Sequence, residues 1–237
     1  MTAGSSYDAI ARLYDPWSRS VTEDVVFYVA EARKAAPGPV VELGIGTGRI
    51  AVPIAADGIR VIGVDSSAGM LEVCREQAEL AGVAELVDLR VGDMREPPVE
   101  EHVPLVICPF RAFLHLHSEG DRMKALRAAH DLLVPGGRLV FDVFTPSEAD
   151  ISETDGRWLE REPGIFERAD FDRRRSTLTL SVRGSEGEAT MALAWLPPGE
   201  WRGLLERAGF RVERCYGWFD RTPYSGGEDT IWITRRA

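Results

Sequence analysis

The chain has 237 residues, enough for one domain with a generous insertion, and its 44% hydrophobic and 8% aromatic content can fill a buried core. A formal net charge of -10, from 28 Lys and Arg against 38 Asp and Glu, repels phosphate backbones and anionic headgroups, so neither nucleic acid nor a membrane is expected as a partner. Three scattered cysteines (Cys74, Cys108, Cys215), no leader-like start at Met1–Ser6 and no long apolar run point to a cytoplasmic protein without a metal site.

Near the start of the chain, Tyr7-Asp8-Ala9-Ile10-Ala11-Arg12-Leu13-Tyr14-Asp15 repeats a Tyr-Asp pair at a spacing that puts both tyrosines on one side of a helix. Residues 1–37 are taken as an N-terminal helical segment that closes the site; packing against the sheet edge is the plainer alternative. From Pro39 to Phe144, short β-branched runs alternate with helical stretches. Strands are expected at Val40–Leu43, Arg60–Asp65, Leu86–Val91, Leu105–Cys108 and Arg138–Phe144. Helices are expected at Arg49–Ala56, Ala68–Ala81 and Asp121–Leu133. Nearly continuous apolar strands joined by helices imply a parallel sheet covered on both faces.

After Pro146 the pattern changes. Ile165–Phe171, Thr177–Val182 and Ala189–Trp195 read as strands with no helix between them, which pair antiparallel. Pro197-Pro198-Gly199-Glu200 opens a helix that stops at Gly209, and Arg211–Trp218 with Thr230–Thr234 forms a hairpin. The expected fold class is therefore α/β. It is a doubly wound, mostly parallel, seven-stranded Rossmann-like sheet with a small antiparallel β cap inserted after strand five. Residues 38–146 and 197–237 form the main domain and 147–196 the cap. Arg173-Arg174-Arg175 reads as a solvated turn. Trp158, Trp195, Trp201, Trp218 and Trp232 read mostly as core, with one or two from the cap available to line a pocket.

Gly44, Gly46 and Gly48 lie in a strand-to-helix turn, where the backbone can approach a nucleotide-like ligand. The dinucleotide fingerprint fails here, because Arg49 stands where its last glycine belongs. Glu42 beside the loop would repel a pyrophosphate, yet it suits a ligand bearing ammonium and sulfonium groups. Asp65 follows strand two at the place where an acid accepts ribose hydroxyls, and capping the next helix is the plainer reading.

Glu42-x-Gly44-x-Gly46-x-Gly48, Val61–Leu71, Asp88–Met94 and Val134–Leu139 together resemble the ordered motifs of class I S-adenosylmethionine-dependent methyltransferases. The likeness spans about residues 38–145 and 199–235. The Tyr-rich start and the cap are similar to bacterial small-molecule methyltransferases, including sugar-amine and glycine N-methyltransferases. The resemblance implies S-adenosyl-L-methionine as cofactor and a small-molecule methyl acceptor. It implies Glu42 and the loop amides near the methionine moiety, Asp65 on the ribose, and Asp93 with Met94 around the adenine, with Ser66 a further cofactor-binding candidate. Met70 and Pro109 complete that set, and Tyr14 and Arg19 are candidates for the methionine carboxylate.

Beyond strand four, Phe110, Arg111 and Phe113 are acceptor-side candidates, and Cys108 and Phe110 depart from the polar Asp/Asn-Pro-Pro pattern of nucleic-acid amino-methyltransferases. Arg111 is open to an acceptor carboxylate or to Asp142. His115 and His117 cannot share a helix face, so one is expected inward and one outward. His115 is the candidate general base, with a structural role as the alternative. The acceptor atom is left between nitrogen and oxygen. Two further readings stand beside transfer: a nucleotide-cofactor oxidoreductase, and a non-catalytic module retaining the cofactor fold. Oligomeric state is open, with pairing of exposed cap strands into a dimer as one arrangement.

Overall fold

The computed structural model describes residues 6–237. The expectation of a leaderless start rests largely on Met1–Ser5, which lie outside the described residues. Val40 and Val41 illustrate how the central sheet is built. Their side chains point to opposite faces of β1 (Val40–Leu43) and join two separate buried clusters, so both faces of the strand are covered.

Around β1 the sheet adds β2 (Val61–Asp65), β3 (Val87–Val91), β4 (Val103–Cys108) and β5 (Leu133–Phe144), all parallel. β11 (Asp229–Arg236) then pairs antiparallel with β5 and with β10 (Phe210–Tyr216). The order is β10-β11-β5-β4-β1-β2-β3, the seven-stranded, mostly parallel sheet expected from the sequence. Helices α2 (Glu23–Ala35), α3 (Ala51–Ala56) and α4 (Ala68–Leu80) contribute to the core on one face. Helices α5 (Glu119–Leu132) and α7 (Pro198–Arg207) cover the other.

Several helix starts are written in serine. Ser67, Ser118 and Ser147 each accept from the backbone N–H three residues on, beginning α4, α5 and α6 (Glu148–Thr154). Asp65 is thus not the cap of α4. β5 begins earlier than the sequence suggests, at Leu133. The Pro135-Gly136 stretch, which reads as a turn, is absorbed by an irregularity in the β4–β5 register, with Gly136 at φ 76°.

The inserted region is a separate antiparallel sheet of four strands: β6 (Trp158–Glu162), β7 (Ile165–Asp172), β8 (Thr177–Gly184) and β9 (Gly187–Ala194). The sequence did not signal α6 or β6. Arg173 and Arg175 are solvated, as expected, and pair with Glu148 and Asp172.

The N-terminal stretch is a short 3-10 turn (Ser6–Ile10) followed by α1 (Ala11–Trp17). It packs between the cap and α4, away from the sheet edge. Ile10 and Leu13 bury against Ile165, Val182 and Met191, while Ala11 meets Met70 and Val73. No helix among the described residues is long and apolar enough to cross a membrane.

Candidate functional site

Open parallel sheets take ligands at the carboxyl ends of their strands, where the winding direction reverses. Here that point lies between β1 and β4. A cavity of about 300 Å3 opens there. Its wall includes Glu42, Gly44 and Gly46 from the end of β1, Asp65 and Ser66 from β2, and Asp93 and Met94 from beyond β3. Met70, Pro109 and Tyr14 complete the sequence-derived candidates that the structure brings together.

The glycine loop is fixed by its own backbone. Gly44 and Ile45 both donate N–H to the Val64 carbonyl, at 2.8 and 3.1 Å, and Gly46 N–H donates to Asp65 Oδ2 at 2.9 Å. Asp65 Oδ1 accepts the Ser67 amide at 2.9 Å, so this carboxylate ties the two motifs together. Burial raises its carboxyl despite these bonds. Gly44 and Gly46 sit at φ 74° and 56°.

Gly48 does not line the cavity. A Cβ there would stand 2.6 Å from Cys74 Sγ, so this glycine serves packing against α4. Gly48 thus stands behind the loop expected to hold the cofactor, and is not in the cavity wall.

Glu42 is buried, and its Oε2 finds no hydrogen-bond partner among the described residues. Burial pushes its carboxyl well above the usual range, opposed by the nearby charge of Arg49. An orphaned acceptor on a residue of the cavity wall fits a cationic donor such as an ammonium group. The donor set therefore suits the methionine end of S-adenosylmethionine. Asp93 is held below the carboxylate range by Arg95, 2.5 Å away.

Arg19, a candidate for the methionine carboxylate, is exposed and lines neither this cavity nor its neighbour. Arg49 occupies the wall instead, forked onto Asp24 at 2.9 and 2.5 Å and with its guanidinium 4.5 Å from the Phe110 ring centre. The sequence showed Arg49 only as a break in a fingerprint.

The two Tyr-Asp pairs do more than share a face. Tyr7 and Tyr14 both line the cavity. Asp8 accepts from Ser67 Oγ at 2.5 Å and from the Gly69 amide at 3.0 Å, and Asp15 accepts from Thr47 Oγ1 at 2.5 Å. The repeated aspartates thus dock the N-terminal segment onto the start of α4 and onto the glycine loop.

A second cavity of about 490 Å3 lies between the cap, the N-terminal segment and the ends of β5 and β11. The cap lends it an apolar wall that includes Phe171, Leu178, Leu180 and Leu193. Asp142, Asp150, Glu167, Glu228 and Asp229 make its charge predominantly negative, against Arg111, Arg157 and Arg161. Burial and neighbouring Glu228 raise the Asp150 carboxyl. Phe110 and Arg111 face this cavity, whereas Phe113 is core, packed on Phe141 and Trp201. Of the three acceptor-side candidates, Phe113 is therefore the one that the structure keeps out of the cavity wall. Arg111 pairs with Asp229 at 2.7 Å, and only its backbone N–H reaches Asp142. Trp17 and Trp218 are the tryptophans in this wall, and neither comes from the cap.

Tyr7, Tyr14, Phe110 and His115 line both cavities. His115 points inward and His117 outward, where its Nε2 meets the Ala192 carbonyl at 3.0 Å. Burial lowers the His115 imidazole to about 4, so it is neutral at pH 7, and burial keeps the Tyr7 hydroxyl protonated. The Tyr7 hydroxyl and His115 Nε2 share a hydrogen bond of 3.0 Å.

A family model described as a methyltransferase domain matches residues 40–137. An uncharacterized methyltransferase of Geobacillus kaustophilus is 30% identical over 76% of this chain and 80% of its own length. The cypemycin N-terminal methyltransferase of a Streptomyces species is 25% identical over 94% of this chain and 91% of its own. Among solved structures, the CcbJ methyltransferase from Streptomyces caelestis matches with a TM-score of 0.86 and 26% identity, over 99% of this chain and 98% of that one. The oxidoreductase and non-catalytic readings give way to these likenesses and to the unpaired Glu42 carboxylate. The chain belongs to the class I S-adenosylmethionine-dependent methyltransferases, and S-adenosylmethionine is its cofactor.

Proposed function

We propose that this enzyme methylates a nitrogen of a small-molecule amine, which occupies the acid-lined cavity beneath the cap. The carrying observation is the predominance of carboxylates in that wall, next to a histidine too weakly basic to serve as a general base near neutral pH. When bound, S-adenosylmethionine supplies a methyl group on positively charged sulfur, and transfer to a neutral amine moves that charge to the acceptor nitrogen. Carboxylates on the acceptor side favour the charge where it arrives. A hydroxyl acceptor would instead need a base titrating near the working pH. The name of the cypemycin enzyme, which places its reaction at an N-terminus, is in keeping with an amine.

In this reading Glu42 accepts from the ammonium of the methionine moiety. Asp65 keeps unused lone pairs for ribose hydroxyls, and Asp93 and Met94 flank the adenine. The N-terminal segment closes the site. Tyr7, Tyr14, Phe110 and neutral His115 form the partition through which the methyl group passes, and they align it by shape and hydrogen bonding.

The test uses methyl-labelled S-adenosylmethionine against a panel of amines, phenols and carboxylic acids of natural-product size. Label is expected in amines, with His115→Gln keeping at least a tenth of wild-type turnover. Label confined to phenols or acids, together with loss of turnover in His115→Gln, would return the histidine to the role of base and overturn the nitrogen assignment.

A further inference from the structure

Phe110 and Arg111 adopt φ 53° and 63°, consecutive left-handed conformations in two bulky residues. L side chains disfavour that region, so a pair of them persists only where surrounding groups hold it. The holding group is visible. Asp142 Oδ1 accepts the Phe110 amide at 2.8 Å and the Tyr28 hydroxyl at 2.6 Å, and Oδ2 accepts the Arg111 amide at 3.0 Å.

We propose that Asp142 is a positioning residue that clamps Phe110 and Arg111 in this turn and thereby sets the partition between the cofactor and acceptor cavities.

The placement follows from register. Cys108, the last residue of β4, pairs with Phe141, so Asp142 lies one residue beyond the paired end of β4. Phe141 faces the α5–α7 side of the sheet, and Val140 faces the α2 side. Asp142, two residues from Val140, faces α2 as well and meets Tyr28 there. Tyr28 is fully buried and lines neither cavity, which makes it an anchor from behind.

What the clamp fixes is the Phe110 ring. It stands edge-on to Tyr14 at 6.0 Å between ring centres and under Arg49. Released from its two amide bonds, the turn would relax toward ordinary φ values and carry that ring with it. Arg111, whose guanidinium lies 4.4 Å from the Phe144 ring centre, would leave the acceptor wall at the same time. A carboxylate suits the task because it only accepts, and three donors converge on it. An Asn side chain would turn an amide N–H toward one of them.

The test needs no acceptor, so its outcome is independent of the nitrogen assignment. Amide hydrogen exchange over residues 109–112 and calorimetric binding of S-adenosylhomocysteine are measured for wild type, Asp142→Asn and Tyr28→Phe. We expect at least tenfold faster exchange at Arg111 and roughly tenfold weaker S-adenosylhomocysteine binding in Asp142→Asn, with smaller changes of the same sign in Tyr28→Phe. Adding Arg111→Gly to Asp142→Asn should recover affinity, because glycine accepts the left-handed turn without a clamp. Arg111 does not line the cofactor cavity, so loss of its side chain leaves that readout interpretable. A folded Asp142→Asn with wild-type exchange and affinity would overturn the proposal, as would a double variant no better than Asp142→Asn alone. If Asp142→Asn does not fold, Tyr28→Phe decides, and wild-type behaviour there overturns it.

Discussion

The carboxyl of Asp142 is raised to about 6 by burial, opposed by its bond from Tyr28. Around it stand Tyr28 and Asp24 from α2, Cys108 from β4, Arg111 from the following turn and, at longer range, Arg49. In the unfolded chain an Asp titrates near ~3.9, so between there and about 6 the folded state binds a proton that the unfolded state does not. On this account stability rises as pH falls from about 6 toward ~4 and is lost as pH rises through about 6. Asp142→Asn removes the effect. The melting temperature of Asp142→Asn relative to wild type should therefore climb between pH 4 and pH 7. A difference independent of pH would show that the carboxyl titrates normally. A group that costs stability at working pH is what a functional constraint leaves behind.

At this scale the sequence was most legible where chemistry is local. Glu42, Gly44, Gly46 and Asp65 sit within a few residues of strand ends, and a strand end fixes where a side chain lands. Arg19 lies away from the cavity wall because its position depends on how the N-terminal segment docks, which no nearby residue announces. Gly48 shows that a glycine placed for close packing looks the same, in sequence, as one placed for a ligand. Asp142 was present in the sequence as a lone carboxylate in an apolar strand, a signal of buried polar function that can be sought deliberately.

Between the elements, the cap and the N-terminal segment meet at the tight β8–β9 turn. A Cβ on Gly184 would lie 2.8 Å from Leu13 Cδ1, and one on Gly187 would press on the Ala9 carbonyl oxygen. Gly187→Ala should loosen this contact while leaving the central sheet intact. The expected result is faster proteolysis before Asp15 and severalfold weaker binding of S-adenosylhomocysteine, because Tyr7 and Tyr14 are carried by the same segment. Unchanged proteolysis and binding would show that the Asp8 and Asp15 staples suffice alone. The alternation of strands and helices was readable because the central parallel strands are mostly apolar, broken by single carboxylates such as Glu42 and Asp142. β6 was not, since Trp-Leu-Glu-Arg-Glu is an edge strand whose charges hide its pattern. α6 is a short, acidic helix with one buried residue, Ile151, too little periodicity to be seen.

Across the whole molecule, both ligand cavities are bounded by parts of the chain far apart in sequence. The 300 Å3 cavity draws its wall from residues between Ser6 and Asp121, and the 490 Å3 cavity from residues between Tyr7 and Asp229. A ligand that binds only the folded state stabilises everything that forms its site. Calorimetric melting should show a single transition that saturating S-adenosylhomocysteine moves upward as a unit. A cap that melts apart and ignores the ligand would mean that sheet and cap are energetically separate.

The partition of Tyr7, Tyr14, Phe110 and His115 has a thermodynamic meaning as well. Four side chains that belong to two sites cannot be ordered by one ligand without being ordered for the other. On the proposed function, a cofactor that orders these side chains also orders them for the acceptor, and by linkage each would change the other's affinity by the same factor. On the same reading the product pair, with its methyl on the far side of the partition, would set a different factor, and the gap between the two would govern release.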